Sequence, residues 1–170
     1  MTEFVITVDA NDAETGIAEK MEAHQKGLLH RAFSVFIFNA KGEMLIHQRA
    51  LKKYHSGGKW TNACCGHPRP NESTMHAASR RLNEEMGIAC LLEQKFSFTY
   101  KASLENGLTE HEIDHVIFGK FEGTPSPNPD EVMDFKWVNT EELKNHVRLN
   151  GNMYTEWFKL CLEQVLEQRF

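Results

Sequence analysis

Two pairs of charged side chains in this 170-residue sequence are spaced so that each pair can act on one ligand. Arg81 and Glu85 are four residues apart in the segment 72–86, which is rich in helix-forming residues, so helical geometry places them on one face. Glu110 and Glu112 are two apart in a stretch with strand character, so both carboxylates face one way. Such carboxylates can bind Mg²⁺, which neutralises anionic oxygens. The alternative for Arg81 and Glu85 is a helix-surface ion pair worth roughly 0.2–0.5 kcal/mol.

The segment 66–88 has a distinctive spacing. Gly66 is followed by five residues and then Glu72, and seven further residues lead to a closing run. That run reads Arg80-Arg81-Leu82-Asn83-Glu84-Glu85-Met86-Gly87-Ile88. The spacing resembles the Nudix box, a loop–helix–loop that binds diphosphates through a metal ion, and it implies a Mg²⁺ ion at Glu85. Nudix hydrolases carry a metal-binding glutamate where Arg81 stands, so this difference weakens the hydrolase interpretation and supplies a guanidinium that suits phosphate oxygens.

A second group of motifs surrounds the box. Residues 60–68 read Trp-Thr-Asn-Ala-Cys-Cys-Gly-His-Pro, residues 29–34 read Leu-His-Arg-Ala-Phe-Ser, and residues 110–112 read Glu-His-Glu. With Ala23-His24, these motifs closely resemble type I isopentenyl-diphosphate isomerases over nearly the whole chain. The resemblance implies an isomerase of isoprenoid biosynthesis, which converts isopentenyl diphosphate to dimethylallyl diphosphate by adding one proton and removing another.

The same resemblance implies a second metal site. Its ion, Mn²⁺, Zn²⁺ or Mg²⁺, is expected to bind to His24, His30, His67, Glu110 and Glu112. Three imidazoles and two carboxylates suit a six-coordinate ion better than a closed tetrahedral zinc site. No motif assigns a site role to the remaining histidines, which are His47, His55, His76, His111, His115 and His146.

Cys65 is the candidate catalytic thiol, because the family's reactive cysteine stands at that place in Cys-x-His-Pro. Cys64 is a rival by adjacency, but neighbouring residues of an extended chain face opposite sides, so Cys64 is expected to point away. Glu112 is implied as the second proton-transfer group, and Tyr100 can hydrogen-bond to it and pass on a proton. The alternative for Cys65 is a small buried apolar residue. The sequence leaves open which of Cys65 and Glu112 is the acid.

Substrate contacts follow from the resemblance as well. Four basic residues match positions that bind the diphosphate, and they are Lys20, Arg49, Lys53 and Arg81. Trp157 matches an aromatic residue that faces the hydrocarbon part, where a π face can stabilise a cation. The alternatives are solvated surface charges for the basic residues and a core anchor of the last helix for Trp157.

Two other functions fit part of this pattern. A Nudix pyrophosphatase accounts for the segment 66–88, but not for the Cys-x-His-Pro motif or the histidine and glutamate set. A non-catalytic module that binds a metal ion or a prenyl diphosphate accounts for the binding motifs. It does not explain why Cys65, Glu112 and Glu85 are all present.

These residues must be positioned by an α/β fold, and the sequence predicts one Nudix-like domain over residues 1–170, a sandwich in which helices flank a mixed β-sheet. Strands are predicted at 4–8, 32–38, 44–48, 96–101, 112–121 and 134–138. Helices are predicted at 72–86, after a cap at Thr140, and at 154–168. The last helix has an apolar face formed by Trp157, Phe158, Cys161, Leu162, Val165 and Leu166. Residues 9–16 are predicted as a turn and residues 50–71 as a loop.

Bulk composition narrows the class of protein. A net charge of -5 argues against a nucleic-acid-binding surface, but not against one small anionic ligand. The four cysteines form neither a disulfide framework nor a zinc motif, and Cys90 and Cys161 are expected to be packing residues. The first residues do not resemble a signal peptide, and no apolar run approaches the roughly 20 residues that span a bilayer. We therefore expect a cytoplasmic monomer or weak homodimer that binds a small diphosphate and no membrane.

Overall fold

The computed structural model describes residues 2–169, which contain a mixed nine-stranded sheet with helices on both faces. The strands are β1 (Phe4–Val8), β2 (Glu14–Glu19), β3 (His30–Phe38), β4 (Met44–Arg49), β5 (Trp60–Thr61), β6 (Cys64–Gly66), β7 (Leu92–Ser103), β8 (Thr109–Lys120) and β9 (Val132–Val138). The helices are α1 (Lys20–Lys26), α2 (Thr74–Met86), α3 (Thr140–Leu149) and α4 (Glu156–Gln168), with 3₁₀ turns at Glu105–Gly107 and Gly151–Met153. No helix in this part of the chain is both long and apolar enough to cross a membrane.

Strand β3 lies at the centre of the sheet and sets the register of the site. It pairs in parallel with β8, which brings His30 beside Glu112. It pairs antiparallel with β6, which brings Ser34 beside Cys65. Because side chains alternate along a strand, even-numbered residues at the start of β3 and on β8 face the same side. The two pairings therefore carry motif residues from distant parts of the sequence to one end of the sheet.

Apolar cores cover both faces of the sheet. On one face, Phe36 and Phe38 of β3 pack with the apolar side of α4, whose buried members are Trp157, Phe158, Cys161, Leu162 and Val165. On the other face, Val35 and Ile37 pack with buried residues of α2, which are Ala77, Ala78, Leu82 and Met86. The predicted apolar face of the last helix is confirmed, with Leu166 partly buried at its edge.

Two glycines of the segment 66–88 stand where close packing or the backbone conformation favours glycine. A Cβ added to Gly66 would lie 3.0 Å from the ring of Phe33, so the glycine allows β6 and β3 to pack closely. Gly87 has φ +64°, the left-handed conformation that ends α2, and its N–H donates to the carbonyl of Asn83. The predicted helix stop at Gly87 is confirmed.

The predicted fold class and main elements are confirmed, three local predictions are wrong, and one helix was missed. Residues 9–16 do not form only a turn, because Glu14 begins the edge strand β2, which pairs with β1. Helix α1 was not predicted, since Met21 and Ala23 are the only apolar residues among its seven and give little periodic signal. The N-cap of α3 is Asn139, whose side chain accepts from Glu141 and Glu142 N–H groups, and Thr140 is the first helical residue. The segment 50–71 contains the two short strands β5 and β6.

Candidate active site

One cavity of about 580 Å³ opens at the end of the sheet where the motifs meet. It is lined by nine of the predicted site residues, which are Lys20, Arg49, Lys53, Cys65, His67, Arg81, Glu110, Glu112 and Trp157. The other predicted residues are not among its lining, and they are His24, His30, Glu85 and Tyr100. These four are buried and contact residues of the lining, so they support the wall of the cavity.

Three predicted histidines and one glutamate converge at one end of the cavity. The candidate ligand atoms of His24, His30, His67 and Glu112 all lie within 4.8 Å of one another. Oε1 of Glu112 is 2.9 Å from His67 Nε2 and 3.3 Å from His30 Nε2. Glu110 is not part of this mutually close set, and instead forms a second one with His24 and His55. The sequence predicted one cluster of five residues. In the structure these residues belong to two adjoining groups that share His24.

The imidazole rings of this cluster have a defined orientation. His24 Nδ1 lies 2.7 Å from the Lys20 carbonyl and His30 Nδ1 lies 2.8 Å from the Leu28 carbonyl. A carbonyl only accepts, so each Nδ1 carries the proton and each Nε2 presents a lone pair to the cluster. Among residues 2–169, these two Nε2 atoms are buried without a hydrogen bond. Unpaired imidazole nitrogens beside carboxylates, each oriented through its other nitrogen, fit a divalent metal ion.

Tyr100 connects the two carboxylates. Its hydroxyl oxygen is 2.7 Å from Glu112 Oε2 and 2.9 Å from Glu110 Oε2. Burial and the charge of Glu112 raise the pKa of Glu110 well above its usual value. Burial also opposes ionisation of Glu112, but the imidazoles of His30 and His67 beside its Oε1 outweigh the burial and hold the Glu112 pKa well below the usual value. The hydroxyl proton of Tyr100 can be donated to either carboxylate, so Tyr100 joins Glu110 and Glu112 in one hydrogen-bonded group.

Cys65 lines the cavity from β6, which pairs with the opposite edge of β3 from β8. Its Sγ is 3.1 Å from Asn62 Oδ1 and 3.0 Å from Trp157 Nε1. The indole N–H donates to sulfur, and the thiol donates to the amide oxygen. Burial, together with the charge of Asp114, raises the pKa of Cys65 to about 12, so it is a neutral thiol at pH 7. Cys64 is fully buried in the core beside α2, and the prediction that it points away is confirmed.

The other end of the cavity is basic, and its cations are already paired with carboxylates of this chain. Arg81 donates to Glu85 and lies 3.3 Å from Glu131, which also accepts from Lys53. Burial raises the pKa of Glu85, while the Arg81 charge opposes that shift. Arg81 bonds to only one oxygen of Glu85, so the other oxygen can serve a Mg²⁺ ion. The predicted helix-face pairing of Arg81 with Glu85 is confirmed.

The remaining predicted substrate contacts, Lys20, Arg49 and Trp157, also line the cavity. Lys20 forms a 2.7 Å ion pair with Glu3. The Arg49 guanidinium carbon is 5.3 Å from the ring centroid of Trp157, and its Nε is a buried donor without a partner in the described chain. Trp157 is 3% exposed. It therefore both anchors α4 and lines the cavity, so the two alternatives considered for it hold together.

Sequence reasoning missed three residues of the site. Asn62 lies within the motif but was given no role, although its amide holds Cys65. Asp114 continues the alternation of Glu110 and Glu112, a signal that the sequence contained; it accepts from Ser34, and burial and Glu112 raise its pKa to about 8. His55 lies in a loop with no recognised motif, and its Nε2 is 3.3 Å from Glu110 Oε1. Nothing in the spacing around His55 indicates that contact.

The fold and site can now be compared with known proteins. A family model for the NUDIX domain matches residues 28–157. Isopentenyl-diphosphate Delta-isomerase 2 of Aromatoleum aromaticum is 50% identical over 169 residues, which are 99% of this chain and 89% of the relative. Isopentenyl-diphosphate Delta-isomerase of Pectobacterium atrosepticum is 48% identical over 161 residues, which are 95% of this chain and 90% of the relative.

Solved structures agree on the fold. The protein DR0079 from Deinococcus radiodurans superimposes with a TM-score of 0.79 at 16% identity, over 95% of this chain and 98% of that one. A MutT protein from Methanosarcina mazei superimposes with a TM-score of 0.67 at 20% identity, over 82% and 94%. At such identities the likeness concerns the fold alone. The sequence relatives go further: the chain belongs to the isopentenyl-diphosphate Delta-isomerase family, within the Nudix fold.

Proposed function

We propose that this protein catalyses the 1,3-allylic rearrangement of isopentenyl diphosphate to dimethylallyl diphosphate. One observation carries the proposal. Cys65 and Glu112, the two groups that can transfer protons, line the same cavity from β6 and β8, the strands that flank β3. The names of the relatives state the same reaction class. The substrate is a small diphosphate, which a cavity of about 580 Å³ can enclose.

The reaction needs two proton transfers. An isolated alkene is a very weak base, so protonation requires a well-placed acid and produces a tertiary carbocation. Loss of a different proton then gives the shifted double bond, so one proton enters and one leaves. In our proposal Cys65 and Glu112 act at the two carbons, and each donates in one direction of the reaction and accepts in the other. Tyr100 links Glu112 to Glu110, so a proton can be restored to Glu112 without opening the cavity.

The cationic intermediate needs shielding and an electron-rich surface. Trp157 supplies a π face, and its N–H is already used by Cys65 and Asn62, so the indole is held in one orientation. The walls beside it are buried, which keeps water from the cation. These features support an isomerase better than a hydrolase, because a hydrolase must deliver water to the reacting atom.

A divalent ion held by His24, His30, His67, Glu110 and Glu112 would place positive charge beside Glu112 and tune its acidity. The unpaired Nε2 atoms of His24 and His30 fit such an ion, and the mixed nitrogen and oxygen donors suit Mn²⁺ or Zn²⁺, or Mg²⁺ with weaker preference. In our proposal Glu85 would hold a second ion, Mg²⁺, which would neutralise charge on the diphosphate. That ion is expected only with the diphosphate present.

The basic end would bind the diphosphate and keep it intact. Arg81, Lys53, Arg49 and Lys20 can donate to phosphate oxygens. Arg49 has a buried Nε without a partner, which supports a role in receiving an anion. Arg81 occupies the place of the glutamate that Nudix hydrolases use to activate water, and its guanidinium cannot act as a base at neutral pH.

The proposal is tested by NMR of isopentenyl diphosphate incubated in D₂O with the protein and Mg²⁺. Dimethylallyl diphosphate carrying deuterium is expected, because one added proton comes from exchangeable groups. A parallel assay measures inorganic phosphate and monophosphate. Release of either without isomer would favour the Nudix pyrophosphatase, and binding without any product would favour the non-catalytic module. Cys65→Ser serves as the inactive control.

A further inference from the structure

Beside Cys65 lies a buried polar network that the proposed proton transfers do not use. Its members Thr61, Asn62 and Thr155 are each 0% exposed. Thr61 ends β5, Asn62 follows it, and Thr155 directly precedes α4. Their side chains form a chain of hydrogen bonds that ends at Cys65 and Trp157. Buried polar groups cost free energy unless they are paired, so the pattern of these bonds indicates what the network holds in place.

Asn62 is the centre of the network, and its amide fits in only one orientation. Its Nδ2 lies 3.0 Å from the Val35 carbonyl and 2.8 Å from the Cys64 carbonyl. Carbonyl oxygens only accept, so both protons of the amide NH₂ group are used there. Its Oδ1 lies 3.2 Å from Trp157 Nε1, which only donates. The amide oxygen is therefore fixed on the side of the indole and the thiol.

This one oxygen atom accepts from both side chains that we place against the hydrocarbon part of the substrate. The Cys65 thiol donates to Asn62 Oδ1 at 3.1 Å. The Trp157 N–H is shared between the same oxygen and Cys65 Sγ, which is 3.0 Å away. The three side chains thus form a closed triangle of contacts. Because an S–H bond points at its acceptor, Asn62 sets the rotation of the thiol group.

Two threonines hold the amide of Asn62. Thr61 Oγ1 lies 2.8 Å from Asn62 Oδ1, which cannot donate, so the hydroxyl proton of Thr61 is used in this bond. The hydroxyls of Thr61 and Thr155 are also 2.8 Å apart. Since the Thr61 proton is already engaged, Thr155 must be the donor in that contact. The hydrogen bonds therefore run in one direction, from Thr155 through Thr61 to Asn62.

Thr155 makes this bond in place of a local one. It occupies the N-cap of α4, where a threonine hydroxyl usually accepts from a backbone N–H of the first helical turn. Thr155 makes no such bond, whereas Ser73 and Asn139 make it at the N-caps of α2 and α3. The backbone N–H of Thr155 donates to the Trp60 carbonyl at 3.1 Å. Both of these Thr155 contacts therefore tie the start of α4 to β5.

We infer that Asn62 is a positioning residue for the isomerisation, and that Thr61 and Thr155 hold its amide in place. The network joins β5, β6 and the start of α4, so the thiol of Cys65 and the indole of Trp157 keep one relative position. Proton transfer to carbon needs a close and aligned approach, and a misplacement of about 1 Å can cost 10²-fold in rate. The inference rests on the proposed function for its reaction, but not for the bonds themselves.

The competing role for the network is stability alone. In that case its polar groups satisfy one another, and the loss of one hydroxyl lowers only the free energy of unfolding. The folded protein would keep the thiol bond of Cys65 and an unchanged kcat. The two roles therefore differ in what a remote change at Thr155 does to Cys65.

The first test measures the thiol and indole bonds without any activity. The infrared S–H band of Cys65 is obtained as the difference between the unaltered protein and Cys65→Ser. The indole N–H of Trp157 is assigned by ¹⁵N NMR with Trp157→Phe. In Asn62→Leu, which keeps a similar size but offers no acceptor, the S–H band should move to higher frequency and the indole resonance should shift. If neither changes, the inference is wrong.

The second test uses Thr155→Val, which removes the hydroxyl but keeps the shape, and which remains informative if Asn62→Leu does not fold. Well below the unfolding temperature, kcat for isopentenyl diphosphate should fall on the order of 10-fold, with KM within about twofold. The S–H band of Cys65 should move in the same direction as in Asn62→Leu. Thr155→Ser restores the hydroxyl and should recover most of kcat.

Thr140→Val is the matched control for Thr155→Val. Thr140 is also buried at the start of a helix, but its hydroxyl contacts Arg169 instead, so only stability should fall. Lower stability of Thr155→Val with an unchanged kcat and S–H band would overturn the inference. If the unaltered protein forms no isomer in D₂O but the S–H band moves in Thr155→Val, the proposed reaction fails and the positioning of the thiol stands.

Discussion

The two ends of the cavity differ in how their polar groups are satisfied. At the histidine end, His24 and His30 each bury an Nε2 atom without a hydrogen bond. At the basic end, Arg81 and Lys53 already have carboxylate partners in Glu85 and Glu131. Unpaired buried nitrogens are costly, which supports our proposal that the first end holds a resident ion. Paired cations must exchange partners when an anion arrives, so the second end is built for a ligand that comes and goes.

This contrast predicts different responses to substitution. Each donor of the histidine end has one role in one shared cluster, so its removal should be severe. Several cations of the basic end are proposed to contact the same diphosphate. Removing any one of them should therefore weaken substrate binding only in part. The predictions below run from the most severe effect to the mildest.

The largest effect is expected for His67→Ala. The substitution removes a proposed metal ligand that also bonds to Glu112 at 2.9 Å, so the bound metal and the activity should be lost together. Metal content by elemental analysis and turnover in the D₂O assay provide the measurements. His76→Ala is the control, because that side chain is exposed on α2 and should change neither. Full activity of His67→Ala without metal would contradict the metal centre.

The next effect is expected for Cys65→Ser, which separates chemistry from binding. Serine keeps a similar side-chain size and a hydrogen-bond donor. Its hydroxyl ionises far less readily than a thiol, whose usual pKa is roughly 8.5. Proton transfer matters only at the transition state, so kcat should fall on the order of 10²-fold or more with little change in KM.

Steady-state kinetics check this prediction, with Cys90→Ser as a control outside the cavity. If kcat were retained and KM alone rose, Cys65 would be a contact of the substrate and not a proton-transfer group. Retention of both constants would support the packing role that was considered as the alternative.

Arg81→Ala should act on affinity first. The lost guanidinium would contact phosphate in the ground state and the transition state alike, so KM should rise about 10-fold while kcat changes little. Arg81→Lys should recover only part of the lost affinity, because lysine keeps the positive charge but cannot donate the bidentate hydrogen bonds of a guanidinium. Arg148→Ala, at an exposed site on α3, controls for net charge. An equal fall in kcat and kcat/KM would instead indicate a contact made only in the transition state.

The sequence predicted the parts of this site that depend on local geometry. Alternation along a strand was enough to place Glu110 and Glu112 together and to separate Cys64 from Cys65, because that rule needs no tertiary information. The same rule could have found Asp114. The helix stop at Gly87 and the pairing of Arg81 with Glu85 are equally local.

Other parts depend on contacts that no local pattern contains. His24 and His30 gain their roles from α1 and from the parallel pairing of β3 with β8, and only family resemblance pointed to them. His55 reaches Glu110 because the loop after β4 folds back over the cavity, with its backbone held by Arg49. The two proposed roles of Trp157 were treated as alternatives. Its indole, in the first turn of α4, both packs in the core and contacts Cys65.

The smallest effect on turnover is expected for Cys64→Ser, the neighbour of the proposed catalytic thiol. Cys64 is fully buried among apolar residues beside α2, and its sulfur has only a weak contact, 3.9 Å from the Cys65 carbonyl. A hydroxyl there gains no good partner, so the free energy of unfolding should fall by roughly 1–3 kcal/mol. The kinetic constants at a temperature well below unfolding should stay near those of the unaltered protein, because the side chain does not reach the cavity. Urea unfolding and steady-state kinetics on the same preparations measure the two effects. Loss of turnover in Cys64→Ser with retention in Cys65→Ser would reverse the assignment within the pair and show that β6 presents the other face to the substrate.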